Sequence, residues 1–382
     1  MDIEKIQTQL KKFGLSGWLL YDFRRSNPLA LKLLKIPGDA LLSRRLFYWI
    51  PAAGTPVKLV STVENPLLHL PGTEQKFMSW KELDDRLKAL LQGQKTVAME
   101  YSPLGRVPEI SRVDGGTIDL VRSFGVEVVS SGDLMQELTS VLSAAEYESH
   151  LAAAKALDEI AAATWVWIQE NLKRGITEHD VQTFMLTEME VRGMQTDHPP
   201  ICAVNAHSAD PHFSPAKGGA SLKSGDFVLI DLWCKKKAPG SIYADITRIG
   251  CIGKPTAKQQ EIFSIVRKAQ KDAVALLQTK SPVKGSEVDA ACRKTIDEAG
   301  YGQYFVHRTG HNIHESDHGP GAHLDSLETC DDRTLLPGTL FSIEPGIYLP
   351  GEFGVRLEFD VYLDPNGQVL ISGGQQDSIT SL

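Results

Sequence analysis

A chain of 382 residues is long enough for two domains and a sizeable core, and its 42% apolar and 23% charged residues are those of an ordinary globular protein. The formal charge of −8 is spread along the chain, which argues against nucleic acid or an anionic membrane surface as partner. The N-terminal stretch MDIEKIQTQLKKFG lacks a signal-type apolar core, no run approaches membrane-span length, and the five cysteines (Cys202, Cys234, Cys251, Cys292, Cys330) form no CxxC pair, so reduced thiols and a cytoplasmic protein are expected.

In chain order, residues 1–140 alternate strand-like runs (GWLLYD, LFYWIP, VKLVST, TVAME, VEVVSS) with a helical run, WKELDDRLKALLQG, closed by Gly93. That alternation predicts a small α/β domain with a structural or dimerisation role. Ser143 with Glu146 forms a capping box, and Leu151, Ala154, Leu157, Ala161, Ile168 and Leu172 recur at helical spacing until Gly175. Thr177 with Asp180 starts a second helix that ends near Gly193. The domain boundary is therefore placed near residue 140, giving domains 1–140 and 141–382. Strand-like runs follow (ICAVNA, GDFVLIDLW, SIYADITRIGCIG), then helices at about 257–279 and from Ser286 to Gly300. The β-runs then return in the histidine-rich stretch 305–323, in TLFSIEPGIY and in GVRLEFDVYL.

Each half of the second domain thus reads helix, helix, strands, and each carries two acids on its last strand pair. Asp231 to Asp245 spans 14 residues, as does Glu344 to Glu358. Equal spacing in similarly ordered halves suggests a pseudo-twofold domain with four carboxylates converging on its axis. A carboxylate among Phe, Ile, Val and Leu is expensive unless a cation meets it. For residues 339–362 two readings are open: Glu344 and Glu358 share a cation, or Glu358 pairs with Arg356 while Glu344 points to solvent. Two divalent cations would cancel the charge of four carboxylates and take imidazole as a further ligand. His307, His311, His314, His318 and His323 are candidates, and metal-assisted hydrolysis is the chemistry that these residue types support.

GDFVLID, YADITR, TGHNIHESDHG, FSIEPGIY and GVRLEFD, in that order, resemble the motif set of the M24 metallopeptidases, the pita-bread family. The resemblance runs from about residue 143 to the C-terminus, and the two-domain layout is similar to the aminopeptidase P, prolidase and creatinase branch. It implies an α/β (α+β) fold: a small N-terminal creatinase/prolidase-like α/β domain followed by a pseudo-twofold pita-bread catalytic domain. Carried over by motif, the metal ligands would be Asp231, Asp245, His311, Glu344 and Glu358, with Asp245 and Glu358 bridging. The cofactors implied are two divalent metal ions, manganese by family precedent, with cobalt or zinc possible. His212 resembles a histidine that assists proton transfer or binds substrate, and His318, seven residues after His311, one that contacts the scissile carbonyl region. Arg356 resembles an arginine that orders the bridging carboxylate and contacts substrate, a structural ion pair being the other reading. Glu344 would also relay a proton to the leaving nitrogen.

The function implied is a dinuclear metallo-exopeptidase, an Xaa-Pro dipeptidase (prolidase) or Xaa-Pro aminopeptidase. It would hydrolyse short peptides with proline at the second position through a metal-bridged water. A homodimer, with the N-terminal domain roofing the site, is implied in the same way. The alternatives are a creatinase-like metal-independent C–N hydrolase, a methionine aminopeptidase and a non-catalytic pita-bread binding module. The complete ligand set argues against the first and last, and the N-terminal domain against the second. Three departures from the family pattern stand out. Asn312 and His314 replace two glycines of the usual Gly-His-Gly-Ile-Gly and must adapt or narrow the pocket. The link CKKKAPGSIY is long, its Lys235–Lys237 run reading as a solvated hairpin loop or a contact for a substrate carboxylate. His207 and His323 are extra histidines, read as bystanders.

Overall fold

The computed structural model describes residues 1–215 and 217–382. The chain divides into two units, Met1–Thr139 and Ser140–Leu382.

The first unit holds helices α1 (Ile3–Lys12), α2 (Pro28–Leu33), α3 (Trp80–Leu91), α4 (Gly115–Ser123) and α5 (Gly132–Thr139). Its strands are β1 (Gly17–Asp22), β2 (Leu46–Pro51), β3 (Val57–Ser61), β4 (Thr73–Phe77), β5 (Thr96–Met99) and β6 (Glu127–Ser130). They form one mixed sheet in the order β4-β3-β2-β1-β5-β6. GWLLYD is buried throughout because β1 is central and covered on both faces. Trp18 and Leu20 join a cluster with Ile6, Leu10 and Leu134, while Leu19 and Tyr21 join one with Leu83, Leu87 and Ile118. That is the period-two alternation of a strand. The edge strand β4, TEQKF, is mostly charged or polar and exposed, which blunts the sheet edge and also hides it from a hydrophobic reading.

The second unit begins with α6 (Ala144–Asn171) and α7 (Glu178–Val191), whose capping boxes are Ser143/Glu146 and Thr177/Asp180. Strands β7 (Met194–Gln195), β8 (Ile201–Val204), β9 (Phe227–Lys236) and β10 (Ala244–Cys251) follow. Helices α8 (Ala257–Thr279) and α9 (Gly285–Glu298) come next. The chain closes with β11 (Leu340–Ile343), β12 (Gly346–Leu349), β13 (Phe353–Arg356), β14 (Phe359–Leu363), β15 (Val369–Ser372) and β16 (Thr380–Ser381). Each helix pair buries its apolar face on its own strands. Leu157, Ile160, Val181 and Met185 pack with Ile230, Leu232 and Ile246, and Ile262, Val266, Val288 and Ile296 pack with Phe341, Val355 and Val361. This is the pita-bread architecture, preceded by an α/β unit.

Two expectations need correction. Residues 305–323 contain no strand, only single bridges Gly310↔Leu324 and Asn312↔Phe341, because their backbone groups bond to side chains and turns. Residues 339–362 form four short strands instead of two. The ladder β11–β14 ends at Ile343↔Phe359 and the ladder β12–β13 begins at Gly346↔Arg356. Glu344 and Glu358 therefore stand opposite each other in the gap between ladders, where Pro345 has no N–H to offer. Glu344 N donates instead to Thr309 O (2.7 Å).

Glu100, wholly buried just after β5, anchors the first unit. Its Oε1 accepts from Trp18 Nε1 (2.7 Å) and Ser131 Oγ (3.0 Å), and its Oε2 from Asn27 Nδ2 (2.7 Å). In Glu100→Gln the amide NH2 must face one of these donors whichever way it turns. The substitution should destabilise the fold by about 1–3 kcal/mol, read by urea unfolding of the full chain followed through tryptophan fluorescence. An unchanged unfolding curve would contradict this account of the network.

Candidate metal centre

Asp231 lies on β9 and Asp245 on β10, within one antiparallel ribbon. The register pairs Asp231 with Thr247 and Trp233 with Asp245, so these four side chains share one face. Glu344 and Glu358 enter from the ladder gap, and His311 from the irregular segment between α9 and β11. All five line a cavity of about 440 Å³, together with His212, His318 and Arg356. His207, His307, His314 and His323 do not line it.

The tautomer of His311 follows from its partners. Nδ1 faces two carbonyls, Asp317 O at 3.1 Å and Asn312 O at 3.3 Å, so it carries the hydrogen. That leaves the Nε2 lone pair aimed at Glu344 Oε1 (3.5 Å) and Asp245 Oδ2 (3.8 Å). Asp245, His311 and Glu358 each offer a ligand atom, and these lie within 4.8 Å of one another. Asp245 Oδ1 and Glu358 Oε1 are buried with no hydrogen-bond partner. Carboxylate oxygens and one imidazole nitrogen are donors suited to divalent cations, and orphaned buried oxygens mark where such charge fits.

Burial drives the Asp245 and Glu358 carboxyls well above the ordinary carboxylate range, and neighbouring acids add to the shift. Glu344 is pushed up to about 7 by burial, against the pull of Arg356 and Arg308. Burial holds His311 well below the usual imidazole range, so it stays a neutral donor of its lone pair.

Arg356 is buried and forms its ion pair with Asp231, not with Glu358. The pairing of Glu358 with Arg356 is corrected by this geometry, since Arg356 reaches Glu358 only through Thr247. Thr247 Oγ1 accepts from Arg356 Nε (3.0 Å) and lies 2.9 Å from Asp231 Oδ1 and 2.7 Å from Glu358 Oε2. Its single hydroxyl hydrogen serves one carboxylate at a time. Arg356 Nη1 also donates to Pro211 O and Tyr348 Oη (both 3.2 Å), tying down the loop that carries His212. His212 itself is exposed at the cavity wall. Glu344 does not point to solvent, its side chain being 14% exposed.

His318 is placed by Arg308, whose Nη2 donates to Nδ1 at 3.1 Å. The remaining hydrogen is then on Nε2, which makes this nitrogen a donor. Burial and Arg308 push the imidazole down to about 4, so it is neutral near pH 7.

The departures from the family pattern find their places. Asn312 is buried, donates to Leu340 O (2.8 Å) and accepts from Gly321 N (2.8 Å), so it adapts and does not narrow the cavity. His323 accepts from Asn312 N, and His207 bonds the buried Glu178. Lys235 and Lys236 belong to β9, not to a loop, and Lys235 covers the Tyr243 ring (4.8 Å) while bonding Glu315 O. Sequence reasoning missed Asp317, Thr247 and Tyr348. Asp317 lay in plain view six residues after His311 as a carboxylate between histidines.

The metallopeptidase family M24 pattern matches residues 149–365. The chain is 30% identical over 332 residues to a probable dipeptidase PepE of Mycobacterium tuberculosis, covering 85% of this chain and 82% of that one. Its fold superposes on the dipeptidase PepE of Mycobacterium ulcerans with a TM-score of 0.67 and 26% identity, covering 99% of this chain and 96% of the other. The prolidase of Pyrococcus horikoshii superposes with a TM-score of 0.58 and 26% identity, over 98% of each chain. With its pattern spanning both halves of the cavity, the chain belongs to metallopeptidase family M24.

Proposed function

We propose that this peptidase hydrolyses the Xaa-Pro bond of dipeptides or short peptides, using two divalent cations held by Asp231, Asp245, His311, Glu344 and Glu358. The observation that carries the reading is the pair of buried, unpartnered oxygens on Asp245 and Glu358 beside the bare Nε2 of His311. Similarity to two dipeptidases and a prolidase supports the substrate class. Bound there, the cations would supply Lewis acidity that activates water near neutral pH and polarises the scissile carbonyl. Manganese is the proposed metal, and the same donors would accept cobalt or zinc.

The chain's own groups divide the remaining work. His318 offers Nε2–H to the scissile carbonyl oxygen, with Arg308 on Nδ1 keeping that tautomer. Glu344, opposite Glu358, would take a proton from the attacking water and pass it to the leaving prolyl nitrogen. Arg356 fixes Asp231, and Thr247 spaces Asp231 from Glu358. His212, exposed at the cavity wall, contacts the peptide as it enters. A cavity of about 440 Å³ suits a dipeptide or tripeptide.

Three measurements test the proposal. Manganese-loaded protein should cleave Xaa-Pro dipeptides or Xaa-Pro-Yaa tripeptides, and failure on both removes the substrate assignment. Asp245→Ala and Glu358→Ala should lower bound metal per chain, and should reduce activity by more than the roughly 10–100-fold typical of losing an outer-sphere partner. Unchanged metal content in either variant refutes its ligand role. A cation present at about 1,000 times its Kd contributes about 4 kcal/mol. Chelation should therefore lower the melting midpoint of the second unit by on the order of 10 °C, and a melt indifferent to chelator on metal-loaded protein speaks against cations among these carboxylates.

A further inference from the structure

Asp317 is a carboxylate that the proposed metal chemistry does not use. It lines the same cavity, with its side chain 13% exposed. Its Oδ1 is buried and has no hydrogen-bond partner. Its Oδ2 approaches only two imidazoles, His318 Nε2 at 3.7 Å and His311 Nε2 at 4.0 Å. Both distances exceed a hydrogen bond. Among the described residues no lysine or arginine forms an ion pair with Asp317.

The cluster of Asp245, His311 and Glu358 does not include Asp317, which instead groups with His311 and His318. Asp317 Oδ2 is 4.0 Å from His311 Nε2, so distance alone does not separate it from a cation on His311, and bound metal is the readout that does. A buried carboxylate without a cation is costly, and the only place from which a cation can reach this one is the cavity itself. Asp197, on the same wall, adds a second carboxylate whose Oδ1 is oriented by Trp233 Nε1 (2.9 Å).

We propose that Asp317 anchors a positively charged nitrogen of the peptide substrate, supplied by its α-ammonium group or by a lysine or arginine side chain. The inference rests on the cavity being the peptidase site. The anchor would make the enzyme select for charge at one end of a short peptide, beyond any preference for proline.

The test compares the wild-type protein with Asp317→Asn, which preserves shape and removes charge. Alanyl-proline, propionyl-proline, lysyl-proline and norleucyl-proline are measured as competitors of one reporter peptide, on protein whose metal content and melting midpoint are recorded. Asp317→Asn should weaken the peptides that carry the anchored nitrogen about 10–100-fold relative to those that lack it. A loss shared by alanyl-, lysyl- and norleucyl-proline that spares propionyl-proline names the α-ammonium as the source, and one confined to lysyl-proline names the side chain. Equal losses on all four, no loss, or a drop in bound metal overturns the proposal. A wild-type protein that cleaves no Xaa-Pro peptide would instead defeat the functional reading on which this one stands.

Discussion

One guanidinium stands among four carboxylates, three buried and Glu344 half-buried, and the second unit is organised around that imbalance. Among the described residues Arg356 is the only arginine or lysine in ion-pair contact with any of Asp231, Asp245, Glu344 and Glu358. A buried charge without a partner is worth several kcal/mol of destabilisation, so the wall either takes up protons or draws further positive charge against it. Arg356 is held in turn by Thr247, Pro211 O and Tyr348. Tyr348 donates to His307 Nε2, because His307 Nδ1 is committed to Arg308 O (2.7 Å). The side chain of that same Arg308 orients His318. A continuous polar chain thus runs behind the carboxylates from Asp231 to the exposed imidazole at the other side.

The two halves reach the same end by different backbone devices. Asp231 and Asp245 sit in an unbroken ribbon, offset by two positions in register, with Thr247 and Trp233 as their direct partners. Glu344 and Glu358 face each other directly, where like charges destabilise a strand pair, and the ladder is interrupted there. The gap frees both side chains from the pleat and lets them converge. An identical spacing of 14 residues therefore conceals two geometries.

Much of the site was legible because acids in apolar runs are conspicuous, and because five motifs occur in order. The helices of the second unit were legible from their capping boxes and from stop signals such as Gly175. The interrupted ladder was not, since Phe341, Ile343, Val355 and Phe359 keep a strand-like apolar pattern across it. Nor was the polar edge strand Thr73–Phe77, whose composition resembles a loop. Arg356 invited pairing with its near neighbour Glu358, but residues two apart on a chain need not meet, and only the tertiary packing brings Asp231 within its reach. Asp317 reads as a solvated loop residue in SDHG until the fold turns it into the cavity.

Asn312 has a consequence for how this chain relates to its family. Its amide occupies the space beside Gly319 and Gly321, where an added Cβ would come within 2.3 Å of Asn312 Oδ1 and 2.6 Å of its Cγ respectively. The three positions share one volume. In a relative with glycine at the first, the crowding from Asn312 at the other two disappears, leaving His314 Cβ 3.0 Å from a Cβ at the Gly319 position. Substitutions at these sites should thus be correlated across the family, and a graft of this loop carrying only one of them would import either a hole or a collision.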